Sequence, residues 1–124
     1  MTRPPKYATI ARLAKALPGV HETFFNGPWF KVGKKGFALY WQSAESWIFK
    51  LPQDQQMMLF EARPETFAPM RSGRLLWSYV EVGNLSTAEL RDFLASAWRT
   101  VAPKKLQSDL RMKDKRRAGA DKDV

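Results

Sequence analysis

The sequence predicts an α+β domain in which an antiparallel sheet is covered on one face by an N-terminal and a C-terminal helix, with a short middle helix between strands. Three observations carry this. Apolar residues recur at helical spacing near the N-terminus; residues 20–51 hold short aromatic and β-branched segments broken by turn residues; and a capped amphipathic helix precedes Pro103.

The first helix is predicted over residues 4–17, with Tyr7, Ile10, Ala11, Ala14 and Leu17 on one face and Lys6, Thr9, Arg12 and Lys15 away from it. Pro18-Gly19 stops it, because proline cannot continue the hydrogen-bond ladder and disfavours helix in the residue before it. Four strands follow, over residues 20–25, 29–32, 37–42 and 47–51. Asn26-Gly27-Pro28 ends the first, and Gly33-Lys34-Lys35-Gly36 between the second and third predicts a tight hairpin with two lysines at its tip. In the fourth, Trp47, Phe49 and Leu51 share a face while Lys50 leaves the other partly wet, as suits a sheet covered on one side.

A second helix is predicted over residues 52–62, opening on a proline whose missing N–H costs nothing in the first turn and ending at Arg63-Pro64. A Pro-containing connection leads to Arg71-Ser72-Gly73-Arg74, a second turn with basic flanks, and then to a strand over residues 75–82. The last helix has the clearest start. Ser86 and Glu89 form a capping box, Leu85 can staple onto Leu90, and Leu90, Phe93, Leu94, Ala97, Trp98 and Val101 make its apolar stripe. From Lys104 the apolar residues thin and charge dominates residues 111–117, which predicts a disordered or loosely helical tail. The expected division is a domain over residues 1–103 and a basic tail over 104–124.

A chain of 124 residues with 44% hydrophobic content and 16 aromatic residues is enough for one core. It has no cysteine, which excludes disulfides, thiolate nucleophiles and Cys-based metal sites. No apolar run approaches the ~20 residues of a membrane-spanning helix, and the N-terminal residues have no signal-peptide block; the expectation is a cytoplasmic protein with no membrane partner. The net charge is +9, with 8 basic and 4 acidic residues in 103–124 and 13 and 8 in 1–102, so the excess is not confined to the tail. Such a field favours anionic partners, although it serves solubility equally well.

No catalytic constellation is visible. The single histidine, His21, stands beside Glu22 without a thiol or a nucleophile elbow, and Gly33-Lys34-Lys35-Gly36 lacks the spacing of a phosphate-binding loop. Glu22, Glu45, Glu61 and Glu81 are scattered, so neither a metal nor a cofactor is expected and an enzyme is the weakest class. Exposed aromatics on a sheet can stack unpaired bases at ~1–3 kcal/mol each, yet most of these must be core; Trp29 and Trp41, near strand ends, are the candidates for exposure. Lys34 and Lys35 at one turn, and Arg71 and Arg74 around another, are short protruding elements suited to phosphate contacts.

Leu17-Pro18-Gly19-Val20, the run from Gly27-Pro28-Trp29 through Gly36-Phe37-Ala38, Arg63-Pro64, Phe67-Ala68-Pro69, Trp77, Leu85–Leu90 and Ala97-Trp98-Arg99 together resemble the MmcQ/YjbR family of small bacterial proteins, over about residues 7–106. The resemblance implies a two-layer α+β sandwich similar to the frataxin-like (CyaY-like) architecture and DNA binding through two winged hairpins. Those wings map to the Lys34-Lys35 turn and the Arg71–Arg74 turn, the latter more basic and less glycine-rich than the family pattern. The leading expectation is a non-enzymatic DNA-binding protein that contacts phosphates through Lys31, Lys34, Lys35, Arg71 and Arg74. The alternative is a protein-interaction or regulatory module. Metal handling, the third reading, wants an acidic ridge on the first helix, which instead carries Arg3, Lys6, Arg12 and Lys15.

Overall fold

The computed structural model describes residues 4–70 and 77–110. Six strands, β1 (Val20–Phe24), β2 (Pro28–Val32), β3 (Lys35–Trp41), β4 (Ser46–Phe49), β5 (Phe67–Pro69) and β6 (Ser78–Val80), form one sheet in the order β1-β2-β3-β4-β6-β5. Every neighbouring pair is antiparallel. Helices α1 (Tyr7–Lys15) and α3 (Thr87–Arg99) pack together on one face, and α2 (Gln53–Ala62) lies against β5. The chain is thus the expected two-layer sandwich. β5 is the strand that the sequence hid, because a three-residue segment ending in proline reads as connection.

The core lies between helices and sheet. From α1 it takes Ile10, Ala11, Leu13 and Ala14, from α3 Leu90, Leu94, Ala97 and Trp98, and from the sheet chiefly Phe30, Phe37, Trp47, Phe49, Phe67 and Val80. The two buried tryptophans also tie chain segments down: the Trp47 Nε1–H donates to the Pro5 carbonyl at 2.8 Å and the Trp98 Nε1–H to that of Pro18 at 2.9 Å. Helix α1 begins three residues later than expected, at Tyr7, because Lys6 takes a left-handed conformation (φ 56°) and its ammonium donates to the Leu85 carbonyl at 2.6 Å. Tertiary anchoring overrides helical spacing there.

At the start of α3 the capping box is formed, Glu89 N–H donating to the Ser86 hydroxyl and Ser86 N–H to the Glu89 carboxylate, each at 3.1 Å. The Ser86 backbone N–H, and then the Arg63 guanidinium, hold the Glu89 carboxyl below its usual range. A buried polar pair bridges α2 and β6: the Ser78 hydroxyl donates to the Gln56 amide oxygen at 2.7 Å, and the Gln56 amide nitrogen donates to the Leu51 carbonyl at 2.8 Å.

One boundary moves. Residues 104–110 are helical, with Leu106 and Leu110 packed against the core, so the structured chain passes Pro103 instead of giving way there to a tail. The sequence signal was diluted because only Leu106 and Leu110 carry the contact among polar neighbours. The expected tail from residue 111 lies outside the described residues.

Candidate nucleic-acid interface

The β2–β3 hairpin is tighter than the sequence suggested. Val32 pairs directly with Lys35, leaving Gly33 and Lys34 as a two-residue turn with Gly33 at φ 61°, the conformation for which glycine is needed at the first turn position. Lys34 is therefore the tip and Lys35 the first residue of β3; both are exposed.

A β-bulge then decides which side chains face where. Phe30 pairs with Ala38 and Lys31 with Gly36, so Phe37 is the extra residue. Phe37 and Ala38 both enter the core, while Gly36 and Leu39 fall on the face away from the helices. Across that face runs one register row through all six strands: Thr23, Trp29, Leu39, Ile48, Tyr79 and Ala68. His21 and Lys31 pair beside it, and Trp41 pairs with Ser46. None of these strand residues is a carboxylate.

Trp29 and Lys31 form the best-defined feature of this face. The Lys31 ammonium lies 5.0 Å from the Trp29 ring centroid, a cation–π contact, and Phe25 meets the same ring edge-on at 6.5 Å. The indole lies close above Gly36, where an added Cβ would stand 3.4 Å from the ring. Among the described residues its buried Nε1 has no hydrogen-bond partner. Trp29 and Trp41 are both half-buried, so neither is the open platform expected of an exposed indole, whereas Trp47 and Trp98 are core.

The three lysines of the expected site do not share one face. Lys31 lies on the open face, Lys34 at the turn, and Lys35 at the register position opposite the core residue Val32. Arg71 and Arg74 lie outside the described residues, so the second wing has no geometry here. His21 is exposed, and Glu22 is held by the Tyr7 hydroxyl and by the Lys15 ammonium at 2.7 Å, which joins β1 to α1. Among the described residues no three His, Asp or Glu cluster as metal ligands, and no helix is long and apolar enough to cross a membrane.

Sequence reasoning missed the aromatic pair Phe24 and Phe25, each 70% exposed at the end of the β1–β2 hairpin. Its signal was legible: two adjacent aromatics cannot both enter a one-sided core from a strand, and Asn26-Gly27 follows them.

A family model described as YjbR matches residues 15–100. No curated protein and no solved structure matches the chain.

Proposed function

The chain belongs to the YjbR family, and from that premise we propose that it is a non-enzymatic nucleic-acid-binding protein that engages DNA phosphates through the β2–β3 hairpin. The observation that carries the proposal is the carboxylate-free sheet face beside an exposed lysine turn. Lys34 and Lys35 project without acidic neighbours in the hairpin, and Lys31, stacked on Trp29, adds a third positive charge one register step away. Such an array attracts a polyanion without competition from neighbouring carboxylates, and phosphate contacts of this kind position a protein without reading sequence. Arg71 and Arg74 extend the array if they act as the second wing.

The test is a titration of the full chain against duplex and single-stranded DNA at several salt concentrations. Counterion release makes log K fall against log salt with slope about −0.9 per phosphate neutralised on duplex DNA. Five cations acting together give a slope of roughly −3 to −5 by that rule. Removing Lys34 and Lys35 together is expected to make it shallower by about 1 to 2 and to weaken all duplex sequences alike. Salt-independent binding, or lysine variants that bind as before, would refute the hairpin mode.

A second reading has its own observation. Phe24 and Phe25 present exposed aromatic surface at the β1–β2 turn, at the end of β2 away from Gly33-Lys34, which suits a protein partner. Phe24→Ser separates the two, because it removes exposed aromatic surface without touching the Trp29–Lys31 pair, and so leaves the salt slope unchanged.

A further inference from the structure

On the opposite side of the molecule from the sheet face, a cleft of about 340 Å³ opens between α1 and α3. Its walls carry three guanidinium side chains, Arg12 from α1 and Arg91 and Arg99 from α3, and one carboxylate, Asp92. Arg91, Ala95 and Arg99 follow at intervals of four residues, so the helix places them on one stripe. The space exists because the residues between the arginines are small, Ala16, Ala95 and Ser96, and its floor is apolar through Leu13, Leu17 and Leu110.

The arginines are exposed and none takes part in an ion pair among the described residues; the carboxylates that do pair, Glu22 and Glu89, engage Lys15 and Arg63. Structural arginines on helix surfaces commonly meet acidic neighbours one turn away. Here positive charge is left uncompensated at a concave, half-apolar site.

We propose that this cleft binds a small phosphate monoester whose body is apolar or aromatic. Three arginines and one aspartate give the site a net charge of about +2, which complements the −1.5 to −2 carried by a phosphate monoester at neutral pH better than it does a monocarboxylate. Guanidinium groups pair with phosphate oxygens through two parallel N–H donors, which a lysine cannot reproduce. The leucine floor takes the ester's body, and Asp92 stands ready to accept a hydrogen bond from a hydroxyl or amine on it. The volume lies at the lower end of the ~300–1,000 Å³ range of small-molecule sites, which suits a ligand of that size. This site is independent of the hairpin.

The experiment is an NMR or calorimetric titration of the full chain with phenyl phosphate, inorganic phosphate and benzoate. Phenyl phosphate is expected to saturate the protein and to bind at least tenfold more tightly than either of the others, with shifts at Arg12, Arg91 and Arg99. Arg91→Ala with Arg99→Ala is expected to weaken it at least tenfold, and Arg91→Lys with Arg99→Lys to recover only part of the loss. Ala16→Leu, which fills the cleft without changing charge, is expected to weaken phenyl phosphate while leaving thermal unfolding unchanged. Lys34→Ala with Lys35→Ala is expected to leave the site intact, so loss of DNA binding in that variant and loss of phenyl phosphate binding in the arginine variant are separate failures. Equal affinity for phenyl phosphate and inorganic phosphate, or binding that survives both the arginine and the Ala16→Leu changes, would overturn the proposal. A 5′-phosphorylated oligonucleotide is expected to compete better than the same strand without that phosphate; equal competition would assign the cleft to a strand's backbone and overturn the small-ligand assignment.

Discussion

The helix layer and the open sheet face satisfy their polar groups in opposite ways. Under the helices, the Trp47 and Trp98 indoles each donate to a distant carbonyl, Lys6 does the same, and the buried Gln56 and Ser78 bond each other. On the open face the Trp29 indole nitrogen is buried with no partner among the described residues, and the ring is covered by a cation. A layer whose buried polar atoms are used internally holds the fold; a surface that leaves charge unspent is where a ligand gains by binding. The difference teaches where substitutions will register as stability and where as affinity.

The largest break in that comparison is expected at Trp98. It is fully buried and bonded to Pro18, so Trp98→Ala removes a large aromatic side chain and also leaves a carbonyl without its donor. A loss of about 3–5 kcal/mol follows from the cavity alone. Urea unfolding followed by tryptophan fluorescence and circular dichroism measures it, and a loss under 1 kcal/mol would mean that the site collapses around the gap.

The next effect tests where the helix layer ends. Ending the chain after residue 103 removes Leu106 and Leu110 from the core, with an expected loss of roughly 1–3 kcal/mol. A chain ending at Leu110 should keep the midpoint of the full protein. Gly19 is the complementary probe, since it has φ +74° and Leu106 Cδ1 lies 2.7 Å from where a Cβ would stand. Gly19→Ala is expected to cost about 1–2 kcal/mol through backbone strain, because the leucine methyl can move aside and the backbone cannot.

How much of this was legible follows the physics of each signal. The capping box was readable because Ser86 and Glu89 satisfy a local rule within four residues, and the α3 stripe because burial repeats along it. The β2–β3 hairpin was readable from Gly33, but the bulge at Phe37 was not, since it depends on which residues the neighbouring strand offers as partners. That one residue decides that Gly36 stands opposite Lys31 and beneath the Trp29 ring. The arginine cleft was invisible for a similar reason: Arg12 and Arg91 are far apart in sequence, and only the packing of α1 on α3 brings them together. Local rules can be read from a sequence, whereas juxtapositions between elements have to be built.

A smaller effect lies at the α3 cap, and its sign with pH is fixed. Ser86→Ala is expected to cost about 1 kcal/mol by removing the N-cap bond. Glu89 has a carboxyl pKa lowered in the folded state by the Ser86 backbone N–H and by Arg63. A carboxylate lowered on folding contributes stability that is present above its unfolded pKa and lost as pH falls through the folded one. Glu89→Gln should therefore flatten the acid side of a stability-against-pH curve and leave the neutral-to-alkaline side parallel to the parent. Denaturant midpoints measured from pH 3 to pH 8 test this, and an unchanged acid slope would mean that the cap does not titrate with folding.

The smallest stability change is expected at the hairpin, and its smallness sharpens the comparison. Lys34 and Lys35 are exposed, make no ion pair among the described residues and contribute no side chain to the core, so Lys34→Ala with Lys35→Ala should move the unfolding free energy by no more than about 0.5 kcal/mol. The turn itself depends on Gly33, which the variant keeps. The same pair of changes is expected to lower DNA affinity and to shorten the salt slope, because two phosphate neutralisations disappear with the charges. A variant that unfolds at the parent midpoint yet binds DNA more weakly would place the hairpin on the functional side of the divide. Were the unfolding free energy to fall by about 2 kcal/mol or more, the lysines would be structural members of the sheet, and any loss of binding would report on folding instead of on contact.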